Sequence, residues 1–108
     1  MGFSIVPLRP FERQLERLVK KFPSLRDEIA ALTGSLGSNP FQGKPLGRSA
    51  YKIRIAIASK GKGKSGGGRV VTFVQVTSTR VYLLTIFDKS ERDTLSDKEL
   101  KSLIDLIP

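Results

Sequence analysis

Apolar residues recur at helical spacing early in the chain and at strand spacing later. Phe11, Leu15, Leu18, Val19 and Phe22 fall three or four apart, with Arg13, Arg17, Lys20 and Lys21 on the opposite face. That spacing predicts an amphipathic helix. Pro10 suits its first turn and Pro23 ends it. A second helix is predicted from about Ser24, with Leu25, Ile29, Leu32 and Leu36 on one side and Gly34 and Gly37 marking its end. Before both, residues 3–8 form a short apolar run, read as a strand that Pro7 confines to a sheet edge.

The period changes after residue 49. Residues 37–49 hold Gly37, Asn39, Pro40, Gly43, Pro45 and Gly47, the composition of a loop. From Tyr51 to Ala58 the alternation is strict: Tyr51, Ile53, Ile55 and Ile57 point one way, Lys52 and Arg54 the other. Residues 69–76 and 80–87 read as two further strands with more continuous apolar runs, joined by a polar turn at residues 77–79. Ser96 with Glu99 forms a capping-box pattern. It opens a last helix with Leu100, Leu103, Ile104 and Ile107 on one face. The expected fold is α+β: a small antiparallel sheet, mixed at its edge, packed against two N-terminal helices, with a short C-terminal helix. The expected organisation is one domain over residues 1–108.

Composition narrows the chemistry. The chain has no cysteine and no histidine. Disulfides and thiolate catalysis are absent, a Ser-His-Asp triad is excluded, and a zinc site is disfavoured. No metal or other cofactor is expected. No apolar run approaches the ~18 residues that span a bilayer, and the first residues lack a secretory pattern. The expectation is a cytoplasmic protein without a membrane partner.

Charge is distributed unevenly. The net charge is +9, yet no Asp or Glu occurs between residues 29 and 87. That stretch carries nine cations: Lys44, Arg48, Lys52, Arg54, Lys60, Lys62, Lys64, Arg69 and Arg80. A basic middle within a neutral remainder points to a polyanionic partner.

Its most unusual part is residues 59–68, composed of Gly, Lys and Ser alone. A phosphate-cradling loop followed by a helix is disfavoured, because a strand pattern follows. A mobile solvated hairpin loop is a second reading. A nucleic-acid site is the third. If the loop continued the strand, Lys60, Lys62 and Lys64 would project together, and the glycines would admit a sugar-phosphate backbone. Lys52 or Arg54 and Arg69 would add to that surface. Such crowding of cations costs energy unless an anion is supplied. Tyr51, Phe73, Tyr82 and Phe87 are weaker candidates for stacking on bases, since strand spacing more often means core.

Three segments together resemble the RelE/ParE superfamily of toxins, nearest its HigB-like branch. They are Tyr51-Lys52-Ile53-Arg54, the run from Ser59 to Arg69, and the run from Val81 to Glu91. Phe11 with residues 15–18, and Asn39-Pro40 with Gly43, also fit, so the resemblance spans roughly residues 11–104. It implies the α+β fold expected above. It also implies the toxin of a type II toxin–antitoxin pair: an endoribonuclease that cuts mRNA on the ribosome, with an antitoxin partner. An acidic antitoxin segment neutralising the basic middle and a helix covering the sheet both remain open.

Residue by residue, the resemblance implies site roles for Lys60, Lys62, Lys64, Arg69, Lys89 and Arg92; with Lys52 and Arg54 added from the basic strand, the expected set is Lys62, Lys64 and Arg69 as catalytic groups and Lys52, Arg54, Lys60, Lys89 and Arg92 as RNA or phosphate contacts. The tyrosine that RelE carries near its C-terminal segment has no counterpart here. That neighbourhood reads Thr94-Leu95-Ser96. Metal-independent cleavage would use the RNA 2′-hydroxyl as nucleophile, leaving a cyclic phosphate and a 5′-hydroxyl. It needs a base, an acid and charge stabilisation. A lysine crowded by other cations gives up its proton more readily, so Lys62 or Lys64 is the expected acid/base and Arg69 the phosphate ligand. Two alternatives share the basic surface: a ParE-like gyrase inhibitor without nuclease activity, and a non-catalytic RNA-binding module.

Overall fold

The computed structural model describes residues 2–61 and 63–108. Strand β1 (Ser4–Pro7) is followed by helices α1 (Arg9–Lys21) and α2 (Leu25–Ser38). Four strands come next: β2 (Lys44–Gly47), β3 (Ala50–Ile55), β4 (Gly68–Gln75) and β5 (Arg80–Asp88). Helix α3 (Asp97–Ile104) ends the chain. The five strands form one sheet in the order β1-β5-β4-β3-β2. All neighbours are antiparallel except β1, which lies parallel to β5 at the edge, where Pro7 costs no ladder bond. The α+β expectation therefore holds, mixed edge included.

Alternation sorts the side chains onto two faces. Ile53, Ile55, Ile57, Val70, Val74, Val81, Leu83 and Ile86 meet Phe11, Leu18, Leu25, Ile29 and Leu36 of α1 and α2. Burying such a side chain stabilises by roughly 1.5–3 kcal/mol, so this face holds most of the core. On the opposite face Ala50, Val71, Tyr82, Leu84 and Phe87 pack under α3 through Leu100 and its neighbours. Tyr82 is fully buried there, and Phe73 half-buried, so both serve the core.

Three features differ from the sequence expectation. Residues 44–47 form a strand, β2, at the second edge, although the segment reads as a loop. Helix α2 continues through Gly34 and Gly37 to Ser38. The run after β3 does not prolong the strand. Residues 58–60 form a 3-10 turn and Lys64 lies in a later turn, so Lys60 and Lys64 are not presented along a continued strand. The turn is held from outside: Ala58 N donates to Glu28 Oε2 at 2.6 Å and Ser59 N to Ser24 Oγ at 2.9 Å.

A bulge in β5 matters for the site. Val71 pairs with Thr85 but Thr72 with Leu83, which leaves Leu84 as the extra residue. The extra residue shifts the alternation by one, so that Ile86 faces the same core as Val81 and Leu83, and Phe87 faces the other side, opposite Arg69.

Candidate nucleic-acid interface

The face of the sheet opposite α1 and α2 is only partly covered by α3. Beyond the helix it is basic, because strand alternation and register place cations there in rows. Lys44 of β2 lies opposite Lys52 of β3, and Arg54 of β3 opposite Arg69 of β4. Directly opposed like charges repel. The loop between β3 and β4 adds Lys64. Gln42, Lys44, Lys52, Arg54, Lys64 and Asp93 line a concavity of about 450 Å³ on this face. Among the described residues, Lys44, Arg54 and Lys64 form no ion pair.

Arg69 is buried beside the concavity, only 2% exposed, and is tied to its lining through Asp93 and the Lys64 carbonyl. Its guanidinium gathers the loop. Nη1 donates to the carbonyls of Lys64 (2.9 Å) and Gly68 (3.0 Å), and Nη2 to that of Ser65 (3.1 Å). Its Nε donates to Asp93 Oδ1 at 3.1 Å. Lys52 Nζ donates to the Asp93 carbonyl oxygen at 3.1 Å and lies 4.0 Å from its carboxylate. Partial burial against the sheet works to raise the Asp93 pKa. The charges of Lys52, Lys89 and Arg69 outweigh it and hold the carboxyl below the ordinary aspartate value.

Of the residues expected to act, Lys52, Arg54 and Lys64 share the concavity, Arg69 is buried beside it, and Lys89 approaches close enough for its charge to act on Asp93. Lys62 lies outside the described residues. Lys60 and Arg92 stand elsewhere. Lys60 turns inward, where its ammonium binds Asp88, donates to the Gly67 carbonyl and faces the Phe22 ring. Asp88 is buried, and burial alone would raise its pKa. Lys60 and the Ser90 N–H and hydroxyl, at 3.0 and 2.9 Å, bring it below the ordinary value instead. Arg92 lies over the Phe87 ring and forms a two-point pair with Glu99 at 2.9 and 3.1 Å. It borders a second groove of about 600 Å³ between α1 and α3. Tyr51 is half-buried against the exposed Phe41.

Sequence reasoning counted Lys44 in the basic stretch without placing it in the site, and it missed Asp88 and Asp93. Lys44 is hidden in a Gly/Pro-rich segment. The two acids follow the acid-free stretch and fold back over it, and nothing in their spacing announces the return. The close approach permitted by glycine is also partly internal. A Cβ on Gly67 would collide with the Ile55 carbonyl oxygen. Among the described residues no three acidic side chains gather as a metal site, and no helix is long and apolar enough to cross a membrane.

The family described as "RelE toxin of RelE / RelB toxin-antitoxin system" matches residues 29–106. The chain belongs to the RelE toxin family. Its fold is similar to a free-state mutant of the Escherichia coli toxin RelE, with TM-score 0.67 over 100% of both chains at 14% identity. It is also similar to the isolated E. coli RelE toxin, with TM-score 0.61 at 14% identity, covering 97% of this chain and 99% of that one. The RelBE2 toxin–antitoxin complex from Mycobacterium tuberculosis gives TM-score 0.59 at 21% identity, covering 82% of this chain and 92% of that one.

Proposed function

We propose that this toxin cuts mRNA on the ribosome and is held in check by a cognate antitoxin. The observation that carries the reading is the concavity lined by Lys44, Lys52, Arg54 and Lys64, with Arg69 buried beside it and bound to Asp93 of the same lining. Those groups suit a ribose-phosphate chain, and such a surface binds RNA in proportion to the phosphates it neutralises. The antitoxin partner is supported by family membership and by the likeness to the RelBE2 complex. Action on ribosomes places the toxin in the cytoplasm.

Cleavage then proceeds by attack of the 2′-hydroxyl on the adjacent phosphorus. The bond to the 5′ oxygen breaks, leaving a 2′,3′-cyclic phosphate and a 5′-hydroxyl. The cation cluster stabilises charge on the phosphorane, the largest service such a site offers. Lys64, with Lys62 as its companion from the same loop, is assigned the proton transfers. Arg69 is assigned to the phosphate, and Lys52, Arg54 and Lys89 to holding the chain in register. Arg69 also fixes the loop that carries Lys64, so its loss would remove both a charge and a scaffold.

The test is direct. Purified protein is added to translating ribosomes, and the mRNA ends are mapped. New ends bearing 5′-hydroxyls are expected, with gyrase supercoiling unaffected in a parallel reaction. Intact mRNA together with inhibited gyrase would overturn the proposal.

A further inference from the structure

The basic face already holds an anion, and it comes from the protein itself. Asp93 reaches back from the segment between β5 and α3 to Lys52, which lines the concavity, and to Arg69, buried beside it. It accepts from Arg69 Nε at 3.1 Å and stands 4.0 Å from Lys52 Nζ. Among the described residues lining that concavity it is the sole carboxylate. Arg69 is buried, whereas the Asp93 side chain is about half exposed, at 52%. One partner is fixed and the other can leave. The three carbonyl bonds that anchor the guanidinium do not involve Asp93, so the cation keeps its place when the carboxylate moves.

We infer that Asp93 is an internal stand-in for phosphate: it occupies the Lys52–Arg69 anion position in the free protein, and an incoming RNA phosphate must displace it. The physical need for such a group is plain. Arg54 faces Arg69 across the strand pair and Lys44 faces Lys52. Without an anion these rows repel. A carboxylate on a half-exposed side chain relieves the repulsion in the resting state and yields to a ligand that reaches several cations at once. A phosphodiester can span Lys52 and Arg69 while its neighbours in the chain engage Lys44, Arg54 and Lys64. Asp93 cannot. The device lowers affinity for isolated phosphates and favours a strand long enough to engage the whole face. The nature of the anion rests on the RNA-cleaving reading; the displacement itself is a matter of binding and is measured without cleavage.

The probe is a short single-stranded RNA whose 2′-hydroxyls are methylated, so that it binds and is not cut. Asp93→Asn should bind it about tenfold more tightly than the wild type, as expected when a site filled nine-tenths of the time is vacated. Asp97→Asn makes the same change in net charge outside the concavity, where Asp97 pairs with Arg48. It should tighten binding about twofold or less, the screened effect of a distant charge. Asp93→Asn binding no tighter than wild type, or Asp97→Asn gaining as much, would overturn the inference. A second measurement needs no variant. The Arg69 Nε–H resonance of the wild-type protein should shift as the RNA saturates the site, and an unmoved resonance at saturation would also overturn it. A wild type that binds and exchanges Asp93 but leaves ribosome-bound mRNA whole would refute the nuclease reading alone.

Discussion

Lys60 and Lys64 sit four positions apart in the same glycine-rich run, yet the fold gives them opposite surroundings. Lys64 opens onto the concavity, while the Lys60 side chain is 10% exposed and bound to an aspartate that is 1% exposed. Removing one member of a buried pair leaves the other charge desolvated and alone. Asp88→Ala is therefore expected to cost about 3 kcal/mol or more in urea unfolding, with Lys60→Ala close behind. Lys64→Ala should leave the unfolding midpoint nearly unchanged and weaken RNA binding instead. A stable Lys60→Ala protein that had lost RNA affinity would put Lys60 back among the phosphate ligands. Gly67 belongs to the same hub, since its carbonyl accepts from Lys89 N and Lys60 Nζ. Gly67→Ala forces a side chain onto the Ile55 carbonyl oxygen and is expected to cost roughly 1–3 kcal/mol, read as a lowered thermal midpoint.

Helix α3 has its start written in four residues. Ser96 Oγ accepts from Glu99 N at 3.1 Å, and Ser96 N donates to Glu99 Oε1 at 2.9 Å, the reciprocal pair the sequence announces. Ser96→Ala should cost about 1 kcal/mol. Glu99 also holds Arg92, and that ion pair with the cap lowers its pKa from 4.5 to about 2. A carboxyl that is more acidic when folded stabilises the fold while it is ionised. That stabilisation is complete above pH 4.5 and is lost as pH falls toward 2. Acid titration of the thermal midpoint should show this loss in the wild type and a smaller one in Glu99→Gln. Elements defined by local signals of this kind, the cap and the apolar stripe of α1 among them, were readable from sequence. Strand β2 was not, because Pro45 and Gly47 speak for a loop and only pairing with β3 makes a strand of them. The β5 bulge was equally hidden, since a run apolar at nearly every position shows no break in alternation when one residue is inserted.

Across the whole molecule, the acid-free stretch from residue 29 to 87 folds so that part of its charge meets on one face and part does not. The existence of a cation cluster was therefore visible in the sequence, and its membership only in part: Lys52, Arg54 and Lys64 were expected there and line the concavity, whereas Lys60 was expected and does not. Arg48 is drawn to Asp97, and Lys60 to Asp88. The acids responsible lie beyond the stretch and reach it only through the sheet and α3. Counting cations in the sequence thus overstates the charge available to RNA, and the salt dependence of binding measures the difference. Each lysine that neutralises a phosphate of a single strand contributes about 0.7 to the slope of log affinity against log salt. Lys44→Ala and Lys64→Ala should each lower the slope by about that amount, and the double variant by about twice as much. Lys98→Ala and Lys101→Ala carry the same change in net charge on α3, away from the concavity, and should leave the slope unaltered. Equal reductions from all four substitutions would mean that RNA senses the net charge of the protein and not the geometry of this face.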